Sequence, residues 1–148
     1  MNDIMIYESG NGGELVINAG DIETTDSLFN MPYLSHFGGN TEASTTGEEI
    51  EGVERFDWWG NSFLETSAQM NSSIERTLSE VSLNSSGRVI IEREAKKDIE
   101  FMSELATIES TAELTGTDKL KISDKINQSK VDFYWEATKQ ELIEEITI

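Results

Sequence analysis

After Leu105 the apolar residues of this chain change their spacing from helical to alternating, and that change fixes the class of fold available. Ile91, Ala95, Ile99 and Met102 recur at spacings of four and three, which places them on one stripe of a helix predicted over Arg88 to Ser103. On its other face Glu92 precedes Lys96 by four residues, the favourable order for an ion pair along a helix. From Ala106 the spacing falls to two. Ala106, Ile108, Ser110, Ala112 and Leu114 share one face of an extended run, and Thr115-Gly116-Thr117-Asp118 turns the chain. In the next run Leu120, Ile122 and Ile126 point one way while Lys119, Lys121, Ser123 and Lys125 point the other, the pattern of a half-exposed antiparallel strand. Val131, Phe133 and Trp135 repeat it. Helices segregated from antiparallel strands predict an α+β fold, with two central helices packed on a mainly antiparallel C-terminal sheet.

Upstream, Ile4 to Tyr7 and Glu14 to Asn18 flank Glu8-Ser9-Gly10-Asn11-Gly12-Gly13, whose glycines and asparagine tolerate positive φ; this predicts an N-terminal β-hairpin. Asp21 to Thr24 continues extended. Thr25 or Asp26 then caps a short helix carrying Leu28, Phe29 and Leu34, shortened by Pro32. Residues 38–52 are almost devoid of apolar side chains and read as a polar, mobile loop. Asn71-Ser72-Ser73 offers a cap for a helix with Ile74, Leu78 and Val81 on one side, and Asn84-Ser85-Ser86-Gly87 breaks it. At 148 residues the whole chain, 1–148, is expected to form one domain.

Charge narrows the partners. The net charge of −18 repels a phosphate backbone, so nucleic acid is excluded as a bound partner. Arg55 is the only lysine or arginine before Arg76, which leaves the N-terminal half almost purely anionic and steers basic partners toward it. The absence of cysteine removes disulfides, thiol nucleophiles and thiolate metal sites. No run of about 18 apolar residues offers a membrane span. Met1-Asn2-Asp3-Ile4-Met5-Ile6-Tyr7 also lacks the basic start of a signal peptide, so synthesis and folding in the cytosol are expected.

The residues that could carry chemistry are few. His36 is the sole histidine and reads as a partly exposed residue ending the short helix, without a catalytic role; Ser35 beside it is too common a residue to mark a nucleophile. Adjacent acids such as Glu48–Glu49 and Glu144–Glu145 arise freely among 29 carboxylates. Only Asp57, beside Trp58, and Glu136, beside Trp135, have aromatic neighbours that would raise an acid's pKa. No calcium-loop pattern is present, and Gly10-Asn11-Gly12-Gly13 joins two strands instead of opening a phosphate-binding helix. No catalytic, cofactor or metal site is therefore predicted.

Interaction residues stand out more clearly. Phe56, Trp58, Trp59, Gly60 and Phe63 crowd four large rings into eight residues, as a core lid or as an anchor for a partner. At the other end, Ile143, Ile146 and Ile148 form an apolar tail over residues 142–148, expected to be poorly ordered alone and to pair with a neighbouring chain.

The order Asp3-Ile4-x-Ile6, a Gly-rich turn, Glu14-Leu15-Val16-Ile17, Gly20-Asp21-Ile22, a helix, a polar loop and Trp58-Trp59-Gly60 resembles the small baseplate proteins of Mu-like contractile-tailed phages and prophages. Asp98-Ile99-Glu100-Phe101-Met102 and Phe133-Tyr134-Trp135 follow in the order expected of that family, whose members are counterparts of the lysozyme-like small wedge protein of T-even phages. In place of the family's Gly-Ser-x-Leu-Trp-like run stands Asn71-Ser72-Ser73-Ile74-Glu75-Arg76, and the Glu-Pro-Arg triplet of the T-even branch is absent. The resemblance implies a virion subunit of the tail baseplate, repeated around the tail axis, that packs against larger wedge proteins and helps to seat the first sheath ring. It implies no active site. An acidic nucleic-acid mimic and, behind it, a cell-wall hydrolase are the competing readings.

Overall fold

The computed structural model describes residues 1–10, 13–38, 63, 65 and 72–148. Six short strands open the chain: β1 (Asn2–Ile4), β2 (Ile6–Glu8), β3 (Gly13–Leu15), β4 (Ile17–Asn18), β5 (Asp21–Ile22) and β6 (Thr24–Asp26). They pair as three antiparallel arms, β1 with β6, β2 with β3 and β4 with β5. The predicted hairpin exists at β2–β3, where Ile6 faces Leu15, but each of its strands leaves that pairing to join another arm. At the junction the backbone closes a ring. Met5 N–H donates to the Glu23 carbonyl (2.9 Å), Glu23 N–H to the Val16 carbonyl (2.8 Å) and Val16 N–H to the Met5 carbonyl (3.3 Å). The ring satisfies backbone groups that a simple three-way split would leave unpaired. The β4–β5 arm turns through Ala19 (φ 51°) and Gly20 (φ 86°), two successive positive-φ residues such as a tight two-residue hairpin turn requires.

Asp26 ends β6 and caps the helix α1 (Ser27–Phe37), its carboxylate accepting from Leu28 N–H at 3.1 Å. In helix α2 (Ser73–Glu80) the N-cap position falls to Ser72, within the predicted Asn71-Ser72-Ser73, but its side chain makes no cap bond; the Ser72 hydroxyl donates to the Ser35 carbonyl on α1. Helix α3 (Ser85–Ile99) starts three residues earlier than expected: Asn84 does not merely break the chain but caps α3 by accepting from Gly87 N–H. A short 3-10 turn over Glu100–Glu104 finishes it.

Strands β7 (Ile108–Leu114), β8 (Lys119–Ile126), β9 (Ser129–Glu136) and β10 (Glu141–Thr147) form an antiparallel meander in spatial order β10-β9-β8-β7. The fold is α+β, as the change of period required. Ile74 and Leu78 of α2 and Ile91, Ala95 and Ile99 of α3 pack with Met102 against Ala112, Leu120, Ile122, Ile126, Val131 and Phe133 of the sheet. The outer edge of β7 is guarded from α3. Glu92 accepts from Ala112 N–H (3.0 Å), and Arg88 donates to the Ala112 carbonyl (3.1 Å) while pairing with Glu92. An ion pair thus occupies backbone groups that would otherwise offer a template to another strand.

The C-terminal residues correct the expectation of an unpaired tail. Glu141 to Thr147 pair in continuous register with β9, from Glu141 opposite Glu136 to Thr147 opposite Lys130. Leu142 and Ile146 point inward and pack on the core, so Ile146 is a core contact of this sheet, not a free anchor. The physical reason is parity: alternate residues of the segment match the apolar face already presented by Val131, Phe133 and Trp135.

Candidate functional site

The most concentrated chemistry lies inside the molecule, around His36. Far from being partly exposed, His36 is completely buried. Its ring stands edge-on to Phe133 (centroids 5.6 Å apart) and to Phe37 (5.9 Å). Nε2 meets the Asp124 carboxylate at 2.7 Å and Nδ1 meets Asp98 at 3.4 Å, with all three side chains essentially without exposed surface. The second Asp124 oxygen accepts from the Ser110 hydroxyl at 2.6 Å. Asp98 also accepts from the Ser73 and Ile74 N–H groups (2.9 and 3.0 Å), so a carboxylate from α3 caps α2. One connected network therefore ties α1, α2, α3, β7 and β8.

Burial pulls the imidazole toward neutrality, but the charge and hydrogen bond of Asp124, followed by those of Asp98, outweigh it and raise its pKa to about 9. His36 is thus an imidazolium at neutral pH, compensating two buried carboxylates. Both ring nitrogens are engaged by carboxylates, and the adjacent hydroxyl of Ser110 donates to Asp124, not to His36. The carboxylates bind opposite nitrogens, so the three groups do not converge on a point. Among the described residues no group of His, Asp and Glu is disposed to hold a metal ion.

A second buried carboxylate lies on β10. Glu144 has no exposure; one of its oxygens accepts from the Glu8 N–H of β2 at 3.1 Å, and the other has no hydrogen-bond partner. Burial lifts its pKa to about 7, the Glu8 N–H opposing and the Glu8 charge adding to that lift. Glu8 is itself buried and accepts from Tyr33 Oη (2.9 Å) and Gly10 N–H (2.8 Å). The acid whose pKa burial raises is Glu144. Glu136 instead pairs with Lys139 (3.4 Å) and Lys119 (3.9 Å), and Asp57 lies outside the described residues.

Of the predicted interaction residues, Phe56, Trp58, Trp59 and Gly60 lie outside the described residues, as does the predicted polar loop apart from Gly38, the C-cap of α1. Phe63 is 81% exposed, Ile148 86% and Ile143 39%, the last on the outer face of β10. The basic stripe of β8 is largely answered within the sheet, Lys121 by Glu113 and Lys119 by Glu136. A cleft of about 530 Å³ between α3 and β7 carries Arg93, Lys96 and Lys97, each already paired with Glu92 or Glu94.

Sequence reasoning missed a surface at the N-terminus. Register sets Ile6 opposite Leu15, Ile17 opposite Ile22 and Ile4 opposite Thr24, so each pair shares a face of its arm, and the two-residue period along the chain relates Ile4 to Ile6, Leu15 to Ile17 and Ile22 to Thr24. Ile4, Leu15, Ile17 and Ile22 are all exposed. The signal was available in the alternation of Ile4 with Ile6 and Leu15 with Ile17, which locates one face but not whether it is covered. No protein-family model, curated protein or solved structure matches the chain.

Proposed function

We propose that the chain is a structural subunit of a contractile phage, prophage or tailocin tail baseplate, packing against larger wedge proteins in several copies around the tail axis and helping to seat the first sheath ring. The observation that carries this reading is the exposure of four aliphatic side chains on the N-terminal β unit in a chain of net charge −18. Such surfaces mark sites of assembly. The inward use of His36 and its two carboxylates supports a role without turnover. Among the described residues no helix is long and apolar enough to cross a membrane.

The test is genetic. Deleting the reading frame from an inducible prophage that carries it should leave particles without a sheathed tail, as seen by electron microscopy, and complementation should restore them. Normal tails in the deletion would overturn the reading. The competing view of an acidic nucleic-acid mimic draws on the lack of any lysine or arginine among residues 1–54. It requires the purified chain to displace DNA from basic proteins at low salt, which the baseplate reading does not.

A further inference from the structure

The geometry points to the aliphatic face of the N-terminal β unit as a docking surface for a protein partner whose contact patch is apolar and bordered by lysine or arginine; the inference rests on the reading of the chain as an assembly subunit. Ile17 (69% exposed), Leu15 (54%), Ile22 (46%) and Ile4 (44%) lie on arms joined by the ring of Met5, Val16 and Glu23. Aliphatic side chains carried on hydrogen-bonded strands lose less conformational entropy on docking than those of a free segment, which favours an interface core.

Charge decides the occupant. Residues 1–38 contain six acids, Asp3, Glu8, Glu14, Asp21, Glu23 and Asp26, and no lysine or arginine. Asp3, Glu14 and Asp21 each adjoin one of the exposed aliphatics in sequence, and among the described residues none of the three forms a salt bridge with a cation. Adjacent strand residues face opposite ways, but the unit is one strand layer thick. Its carboxylates therefore set the sign of the field met by anything seated on the aliphatic face. A second copy of this chain would bring like charges together, and an anionic lipid surface would be repelled in the same way. A patch ringed by lysine or arginine is attracted and oriented.

Photo-crosslinking in cells that express the full chain with its native neighbouring genes tests this. A photoreactive amino acid is placed at Ile17 or Ile22, and for comparison at Val89, which is exposed on α3. Expected are adducts from positions 17 and 22 to one other protein, at peptides rich in lysine or arginine and not reached from position 89. Their yield should fall by at least about tenfold when Glu14→Lys and Asp21→Lys are combined, in a variant whose thermal melt matches the parent. Adducts to a second copy or to lipid, equal capture from position 89, no adduct, or indifference to charge reversal would each overturn the proposal. Adducts at 17 and 22 to a basic patch on a protein foreign to the tail would remove the baseplate reading and leave the docking face standing. Capture of a wedge or sheath protein from position 89 alone would do the reverse.

Discussion

Nε2 of His36 lies 2.7 Å from Oδ2 of Asp124, and neither side chain has any exposed surface. Removing one partner strands a buried charge. Asp124→Asn and His36→Ala should each destabilise the fold by about 3–5 kcal/mol in chemical denaturation. A loss below about 1 kcal/mol would mean that the network contributes little.

The same pair sets a pH dependence. The folded pKa of His36, about 9, lies above its ordinary value of 6.5, so its contribution is present in full below about pH 6.5 and is lost as pH rises through 9. Stability should therefore decline by up to about 3 kcal/mol across that window, and the decline should vanish in His36→Ala. Denaturation midpoints at pH 6, 7.5 and 9 read the effect directly.

Glu144 slopes the same way at lower pH. Its folded pKa is raised from 4.5 to about 7, so the folded state holds a proton that the unfolded chain releases, and stability falls between those values. Glu144→Gln removes this slope and keeps an acceptor for Glu8 N–H. We expect it to stabilise the protein at pH 8 by on the order of 1–3 kcal/mol, and an unchanged or lowered midpoint there would count against burial as the cause.

Gly87, in the first turn of α3, faces the backbone of the α2–α3 connection. A Cβ at this position would stand 1.9 Å from the Ser82 carbonyl oxygen and 2.8 Å from Val81 Cγ1, so the connection must shift. Gly87→Ala should cost more than about 2 kcal/mol despite alanine's better helix propensity. A gain in melting temperature would refute the close approach.

Strand β10 should behave as part of the sheet. Amides of residues 141–147 that bond to β9 are expected to exchange slowly in the isolated protein, and deletion of residues 142–148 should unfold it, since Leu142 and Ile146 leave the core. Rapid exchange throughout the segment would restore the unpaired tail.

The helices, the meander and the apolar stripes were legible because each follows a local period. The buried polar network was equally in phase and went unread. Asp124 alternates with Ile122 and Ile126 on the core face, Glu144 with Leu142 and Ile146, and Asp98 stands three residues after Ala95 on the buried stripe of α3. An ionisable residue in register with an apolar face is the signal that was available. What periodicity could not supply was partnership: nothing local in Asp98 says that it will cap α2, or in Ser72 that it will turn to Ser35 instead. The three-armed junction was illegible for the same reason, because its closing bonds join residues from three separate strands.

That junction has a mechanical consequence. The three bonds circulate in one sense, each of Met5, Val16 and Glu23 holding one neighbour and held by the other, so no arm can tilt without loading the remaining two. One of those arms ends at Asp26, the residue that seats the first turn of α1, and the last turn of α1 carries His36. Hydrogen bonds and helix thus run without a break from the junction to the imidazolium held between Asp98 and Asp124.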